Sequence, residues 1–320
     1  MALPPNAVSS DELDRRLGLR GGSTLKQTGI RRRYLSTTET AAQLAARACT
    51  AALENAGLAW SDIDCLVGTS ATMDQALPYN AALIHAELGL TAQRTSTFDI
   101  GASCMSFLTG LDTMSYLVDC GRYQNVMLVS ADIATFGLDW TRLKECGLFG
   151  DGAAAAVIRK SAPGESSRIM SAKTVTLSDG AQLCKIPAGG SRFHPRRLTT
   201  PIDPLTVFQM DGKSVFKLVA AEMAQFTAKL LADAGVTMRD IALVVPHQAS
   251  QLALDHLAKR LDVPEGRLVD IFTDYGNQVG ASLPTALHIG LSSGRVRRGD
   301  PMLLIGTGAG LTMGGMILTY

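Results

Sequence analysis

The sequence predicts an α/β fold built from two similar halves, and two observations lead to this prediction. Short apolar stretches of strand length alternate with helix-length segments along the 320 residues, which is typical of mostly parallel sheets covered by helices. A helix end that leads into an apolar strand occurs twice, at residues 56–63 (AGLAWSDI) and 178 positions later at 234–241 (AGVTMRDI). We therefore expect residues 1–160 and 161–320 to form two halves that pack as a pseudo-dimer.

Helices and strands alternate in the N-terminal half. A short helix is expected to begin around Ser9, and the helical spacing of Ala, Leu and Cys predicts a second helix that Gly57 ends. A third helix is expected to end at Gly89, and the long apolar segment after Cys104 predicts a fourth helix that is buried on all sides. Strands are predicted at residues 65–67, 98–100, 126–130 and 153–158.

The C-terminal half follows a charged link at residues 160–167. Its predicted helices span residues 211–235, 250–261 and 282–292, and its predicted strands span residues 241–245, 302–305 and 316–319. Residues 185–204 are rich in Pro, Gly and Arg and are long for a connector, so we expect a surface loop with a function. Residues 301–320 carry no charge, but their Gly-rich break predicts two buried strands around a turn rather than a membrane span.

Composition and charge exclude several classes of protein. The net charge of +1 argues against general nucleic-acid binding, and 46% hydrophobic residues allow a large core. The six cysteines are scattered without metal-ligand spacing, so we expect no metal site and reduced thiols in the cytoplasm. The N-terminus has neither a basic region nor an apolar run, so no signal peptide is expected and no membrane association is predicted.

Three side chains that can carry chemistry stand just after predicted strands. Cys104 follows the strand at residues 98–100, His247 follows the strand at residues 241–245, and Asn277 follows Gly276. In open α/β sheets the edge at the strand ends is where sites form, so the three could converge if the halves face each other. Each also fits a structural role: a buried cysteine, a satisfied histidine and a turn residue.

The three residue types suit the chemistry of thioesters. Cysteine and histidine form a nucleophile-and-base pair, and a cysteine in the first turn of a helix lies where the helix field favours the thiolate. An asparagine amide and an imidazole can both donate hydrogen bonds to a carbonyl oxygen and stabilise an enolate. The turn around Ala309 could point backbone N–H groups into the same site, although a plain hairpin turn explains it equally well.

The chain resembles the β-ketoacyl-acyl-carrier-protein synthase III family of the thiolase-like superfamily. The resemblance covers nearly the whole chain and rests on motifs that occur in the family's order. They are Thr28-Gly29-Ile30-Arg31, Cys104 before an apolar helix, Phe149-Gly150-Asp151-Gly152-Ala153, Phe208-Gln209-Met210-Asp211-Gly212, Pro246-His247-Gln248-Ala249, Gly276-Asn277 and Gly308-Ala309-Gly310-Leu311-Thr312. The resemblance implies a thiolase-like layered α-β-α-β-α fold of two pseudo-repeated halves.

The resemblance also implies an activity and a set of roles. Cys104 would carry an acyl group, with the oxyanion between the backbone N–H groups of Cys104 and Ala309. His247 and Asn277 would stabilise the enolate formed when a malonyl thioester on acyl carrier protein loses CO₂. Leu77 matches a position that reaches into the acyl tunnel of a partner subunit, which implies a homodimer. No cofactor is expected beyond the substrates' own coenzyme A or phosphopantetheine carriers.

The chain departs from the family at positions that hold the acyl carrier. Ser23, Gln27 and Leu143 stand where the family has a Trp and two Arg that hold the adenine of coenzyme A, so we expect weak coenzyme A binding. Contacts to the carrier protein or its phosphate are predicted for basic residues elsewhere, namely Lys259, Arg260, Arg192 and Arg196. The family's apolar strand ahead of Leu3 is also missing from the sequence, which would leave a sheet edge unpaired.

Two other functions remain compatible with these residues. The chain could be an acyltransferase that moves an acyl group from Cys104 to a natural-product acceptor, although such a reaction has no enolate for Asn277 to stabilise. It could also be a non-catalytic partner subunit, although the complete Cys–His–Asn set argues against that role. Both fatty-acid initiation and a secondary-metabolite pathway are open as the setting.

Overall fold

Two four-stranded sheets form the centre of the structure. The computed structural model describes residues 1–320 apart from the side chain of Glu145. Its strands are β1 (Ala7–Ser9), β2 (Arg32–Tyr34), β3 (Cys65–Gly68), β4 (Ser96–Asp99), β5 (Asn125–Asp132), β6 (Gly152–Arg159), β7 (Arg168–Thr176), β8 (Cys184–Lys185), β9 (Gln209–Met210), β10 (Leu243–Pro246), β11 (Pro301–Gly308) and β12 (Thr312–Thr319). The large sheets have the strand orders β4-β3-β5-β6 and β10-β11-β12-β7, while β1-β2 and β8-β9 form two small ribbons.

The helices form layers outside and between these sheets. They are α1 (Ser10–Arg16), α2 (Ser23–Thr28), α3 (Ala41–Ala56), α4 (Asn80–Glu87), α5 (Ser106–Asp119), α6 (Leu143–Cys146), α7 (Asp203–Thr206), α8 (Gly212–Ala234), α9 (Gln251–Arg260), α10 (Phe272–Tyr275) and α11 (Ser282–Ser292). The predicted helix that Gly57 ends and the predicted helices at residues 211–235, 250–261 and 282–292 are therefore confirmed, with each stated end within two residues of the observed one.

The two halves repeat each other down to the register of the strands. In the first sheet β3 runs parallel to β5, which is antiparallel to β6, and in the second sheet β10, β11 and β12 have the same arrangement. Cys65 lies opposite Val126, and Leu243 lies opposite Met302, so the partners are displaced by 178 and 176 positions. This confirms the prediction of a fold built from two pseudo-repeated halves.

Alternating side chains divide the core into layers. Val67 and Leu128 on the first sheet face α5 and α11 together with Leu243 and Leu304 from the second sheet. Their neighbours face outward, where α3 and α4 cover the first sheet and α8 and α9 cover the second. Because successive side chains of a strand point to opposite faces, both sheets are apolar on both sides. The result is the layered α-β-α-β-α order that was expected.

The Cys104 segment differs from its prediction in two ways. The helix α5 begins only at Ser106, and Cys104 lies in the preceding 3₁₀ turn of Ser103–Met105. The helix is also buried on one side only, since Phe107 and Leu108 are enclosed whereas Tyr116 is 71% exposed. The apolar sequence therefore overstated the burial, because Tyr and Thr on the outer face count as neither charged nor strongly polar.

The two ends of the chain both pair with the large sheets. The predicted strands in residues 301–320 are confirmed as the antiparallel hairpin of β11 and β12. β7 pairs along the outer edge of β12, whereas the matching edge of β6 has an antiparallel bridge from Ala2 to Ala153. Among the described residues there is no helix that is both long enough and apolar enough to cross a membrane.

Candidate active site

A cavity of about 390 Å³ brings together the side chains that the sequence had placed at strand ends. Cys104 reaches it from the turn after β4, His247 from the end of β10, and Asn277 from the segment after α10. Ala309 reaches it from the turn between β11 and β12. The four residues therefore share one cavity although they are as much as 205 positions apart in the sequence.

Cys104 sits in a turn that aims backbone donors at its sulphur. The N–H groups of Ala309 and of Cys104 itself lie near the Cys104 sulphur, where they lower the pKa of the thiol. The preceding residue, Ser103, has a φ of 52°, a left-handed conformation that non-glycine residues rarely adopt. Gly308 packs so closely against this turn that a Cβ there would lie 3.2 Å from the Cys104 nitrogen. Two N–H groups around a thiol are also the donors that an oxyanion on a bound acyl group requires.

The environment of the thiol does not favour the thiolate that its helix position led us to expect. Burial raises the pKa of Cys104 to about 12, and the nearby Asp132 and Cys184 add to this rise. The N–H groups of Ala309 and Cys104 lower the pKa, but by less than burial raises it. The expectation was wrong because burial in an apolar cavity penalises the charged sulphur more than the neighbouring N–H groups stabilise it.

His247 is held as a neutral imidazole. Its backbone N–H donates to the Ile305 carbonyl over 2.8 Å, and its side chain is buried beside Gly306. Burial lowers the pKa of His247 to about 4, so the ring is uncharged at neutral pH. The Nδ1 atom has no hydrogen-bond partner within the described part of the chain. A neutral imidazole offers one N–H donor and one acceptor nitrogen to a bound substrate.

The side-chain amide of Asn277 is oriented by two donors. Its Oδ1 atom accepts from the Val279 N–H over 2.8 Å and from the Ser282 hydroxyl over 3.3 Å. With the oxygen engaged in this way, the amide NH₂ group is the end left to donate to a ligand. The backbone of Asn277 is held as well, since its N–H donates to Leu148 and its carbonyl accepts from Gly150.

The rest of the cavity wall is mostly apolar. Phe149 and Phe208 meet edge to face with ring centres 5.1 Å apart, and other walls come from Leu138, Met210 and Leu311. Cys184 also lines the cavity, and nothing in its sequence surroundings pointed there. The role of Ser282 was also missed, because its contact with Asn277 is made across a turn. These walls suit an acyl chain and the apolar part of a carrier arm.

The other predicted functional residues lie outside this cavity. Leu77 is 83% exposed on the loop that precedes α4. Lys259 and Arg260 are exposed in the last turn of α9. Arg192 stacks over the ring of Phe193 at 5.3 Å, and Arg196 lies nearby in the same exposed segment. These five positions could contact a partner protein or a carrier but cannot touch the reacting atoms of a substrate at Cys104 without movement.

A thiol surrounded by backbone donors, with a neutral imidazole and an amide from the second half of the same fold, defines an acyl-transferring enzyme of the thiolase-like type. Sequence models of one family match both halves of the chain. The model described as 3-oxoacyl-[acyl-carrier-protein] synthase III matches residues 98–180, and the model of its C-terminal part matches residues 231–320.

Individual relatives agree along their full length. The β-ketoacyl-[acyl-carrier-protein] synthase III of Symbiobacterium thermophilum is 34% identical over 100% of this chain and 96% of its own. A crystal structure of 3-oxoacyl-(acyl carrier protein) synthase III from Pseudomonas aeruginosa is 32% identical, with a TM-score of 0.87 over 99% of this chain and 95% of that one. The priming β-ketosynthase of the R1128 polyketide pathway is 30% identical, with a TM-score of 0.87 over 99% and 93%. The chain belongs to the 3-oxoacyl-[acyl-carrier-protein] synthase III family and is an acyl-transferring condensing enzyme.

Proposed function

We propose that this chain catalyses the decarboxylative Claisen condensation of an acyl group with a malonyl thioester on acyl carrier protein. The Cys104 thiol attacks the acyl thioester, a new C–S bond forms, and the carrier leaves as a thiol that takes up the proton by way of His247. The malonyl thioester then loses CO₂ and becomes an enolate. The enolate carbon attacks the acyl group and the bond to Cys104 breaks with its electron pair on sulphur. The thiolate takes up a proton from solvent, and a β-ketoacyl thioester leaves on the carrier.

The orientation of the Asn277 amide is the observation that carries this proposal. The Val279 N–H and the Ser282 hydroxyl occupy its oxygen, so its NH₂ group faces the cavity beside a neutral His247. Two neutral donors stabilise a negative oxygen that develops during decarboxylation, because they bind the enolate more strongly than the malonyl carbonyl. An enzyme that only transfers an acyl group has no enolate at this place.

The acylated state of Cys104 suits the same cycle. Its thioester carries no charge, so it does not repel the malonyl carboxylate that must enter after acylation. The backbone N–H groups of Cys104 and Ala309 then serve as the oxyanion hole during both attacks on a carbonyl carbon.

The two steps can be tested with the wild-type protein alone. After incubation with an acyl thioester, the intact mass should increase by the acyl group on Cys104, and added malonyl carrier protein should then release CO₂. An acyl-enzyme that never releases CO₂ would refute condensation and indicate an acyltransferase. A failure of every thioester to acylate Cys104 would indicate a non-catalytic subunit.

Acyl carrier protein is proposed as the main carrier. Leu143, one of the three altered positions, is buried against Val8 and Leu13 and so cannot face a nucleotide. We expect free coenzyme A to bind with a dissociation constant above the micromolar range in calorimetry. A micromolar or smaller value would contradict this. Lys259, Arg260, Arg192 and Arg196 are the proposed contacts for the acidic carrier or its phosphate.

A homodimer in the cytoplasm is the proposed state of the protein, without a cofactor of its own. The exposed apolar side chains of Met73 (57%) and Leu77 (83%) support it, since large apolar groups exposed on one loop suit an interface. The cysteines are free thiols, as a reducing compartment requires. Sedimentation should give a dimer that Leu77→Asp weakens, and an unchanged dimer would place the interface elsewhere.

A further inference from the structure

Arg33 is a charged residue that the fold encloses completely. No role was predicted for it from the sequence. It lies in the middle of β2 and has no solvent exposure. One amino group of its guanidinium, Nη1, donates to the carbonyl of Gly147 and, over 3.2 Å, to the carbonyl of Phe149. Burial lowers the pKa of Arg33 to about 10, so the side chain remains charged at neutral pH. Moving a guanidinium out of water costs free energy unless hydrogen bonds compensate for the loss. The groups that accept hydrogen bonds from Arg33 are therefore important.

Those partners belong to the segment that holds Asn277. The carbonyl of Leu148 accepts the Asn277 N–H over 2.8 Å, and the N–H of Gly150 donates to the Asn277 carbonyl over 3.1 Å. Phe149 and Asn277 form a parallel bridge, in which the residues on either side of Phe149 make the backbone hydrogen bonds to Asn277. Leu148 and Gly150 therefore form hydrogen bonds with Asn277 on one side. The carbonyl of Phe149 points to the other side, where it accepts from Arg33.

The packing around this segment leaves no room for it to shift independently. A Cβ on Gly150 would lie 2.3 Å from the Tyr275 carbonyl oxygen, and a Cβ on Gly276 would lie 3.0 Å from the Leu148 oxygen. The Asn277 amide is in turn fixed by Val279 and Ser282, which lie two and five positions later in the chain. A displacement of residues 147–150 is thus passed to the amide through the backbone.

We propose that Arg33 is a positioning residue for the decarboxylation step, which holds residues 147–150 and through them the donor end of Asn277. This inference rests on the proposed function, in which Asn277 stabilises the enolate. The oxyanion donors of the first step come from Cys104 and Ala309, which Arg33 does not contact. Acylation and decarboxylation should therefore respond differently to a change at this position.

The test compares Arg33→Met, Arg33→Lys and the control Arg32→Met. Arg32 is the neighbour on the same strand, but it is exposed and lies 3.7 Å from Asp274 at the surface. For Arg33→Met we expect release of CO₂ from malonyl carrier protein by the acylated enzyme to fall about 100-fold, as for a donor displaced by ~1 Å. Acylation of Cys104, followed by intact mass, should stay within about threefold of the wild-type rate, because its donors are untouched. Arg33→Lys should lie between Arg33→Met and the wild type, and Arg32→Met should match the wild type.

Several results would overturn the proposal. Equal losses of acylation and CO₂ release in folded Arg33→Met, or no loss in either step, would show that Arg33 does not act through Asn277. If Arg33→Met does not fold, the same comparison of acylation with CO₂ release is made with Arg33→Lys. If neither variant folds, Arg33 is required for folding alone and the proposal is wrong. If the wild type itself releases no CO₂, the proposed function fails and this inference fails with it.

Discussion

At the scale of single residues, burial decides the protonation of both reactive side chains. It raises the pKa of Cys104 to about 12 and lowers the pKa of His247 to about 4, so both are neutral at pH 7. A thiolate–imidazolium pair, which many cysteine enzymes use, is therefore not the resting state here. The free enzyme instead presents a thiol, and in the proposed mechanism the charge appears on sulphur only as the thioester is attacked.

The rate at which Cys104 is alkylated should reveal this protonation state. Because the thiolate is the nucleophile, the rate with iodoacetamide should rise about tenfold per pH unit from pH 7 to 9 without a plateau. Mass spectrometry of the peptide that contains Cys104 follows the reaction, and the exposed Cys120 provides an internal comparison. A plateau below pH 8 would mean that the thiol ionises far more readily than its burial predicts.

Asn277→Ala should separate the two chemical steps. Acylation of Cys104 should be retained, because the amide is not among the donors to the sulphur. Release of CO₂ should fall by about 10²–10³, the usual effect of deleting one donor to a developing oxyanion. Cys104→Ala is the comparison, since it should lose acylation altogether. A parallel loss of both steps in Asn277→Ala would contradict the role proposed for the amide.

At the scale of elements, β11 is the strand against which the two reactive elements pack. A Cβ on its Gly306 would lie 2.6 Å from the Cβ of His247 and 2.7 Å from the terminal methyl group of Met105. Met105 follows Cys104 directly. Gly306 therefore lies between His247 and the Cys104 turn, where a side chain would collide with both. The absence of a side chain on β11 is thus a condition for the geometry of the site.

Gly306→Ala should reduce both stability and activity. The added methyl group forces the neighbours apart, and overpacking of this kind costs about 1–3 kcal/mol. Denaturant unfolding measures the stability, and CO₂ release measures the activity. Gly101→Ala is a matched control, because a Cβ there meets no atom within 4 Å. Equal effects of the two substitutions would show that the contact at Gly306 is not critical.

At the scale of the whole molecule, the site exists only where the two halves meet. Asp132, at the end of β5 in the first half, accepts from the Ala71 and Thr72 N–H groups on one side and from the Ala281 N–H of the second half on the other. Arg31 likewise joins the halves through a bidentate contact with Asp274. These links explain how a nucleophile from one half and donors from the other keep a common geometry.

The buried His247 should make the stability of the whole chain sensitive to acid. Its pKa is about 4 in the folded protein, below the usual value of 6.5, so the unfolded chain binds a proton that the folded protein refuses between these values. The free energy of unfolding should therefore fall as the pH drops from 6.5 to 4. In His247→Gln this loss is absent, so its stability relative to wild type should improve by roughly 3 kcal/mol over that range. Denaturant curves at several pH values test this, and a constant difference would contradict the buried neutral imidazole.

Much of the architecture could be predicted because it depends on local patterns. The apolar runs form the strands β3, β5 and β10 as predicted, and glycines end α3 and α8 as predicted. Strands and helix ends are set by neighbouring residues, so a local pattern is enough to predict them. The turn around Cys104 was predicted less well. Its 3₁₀ geometry depends on the distant Gly308, which packs against it.

The sequence by itself determined the alternation of strands and helices, the internal repeat, and the presence of Cys104, His247 and Asn277 just after strands. These follow from hydrophobic periodicity and from motifs that lie within a few residues of each other. Only the tertiary structure decided which end of the Asn277 amide faces the cavity, that Cys104 rests as a thiol, and that Arg33 is enclosed behind residues 147–150. The physical reason is that the folding of the chain decides which groups meet. Arg33 bonds to Phe149, 116 positions away, distant segments bury Cys104, and even the contact of Ser282 with Asn277 depends on the shape of the turn between them.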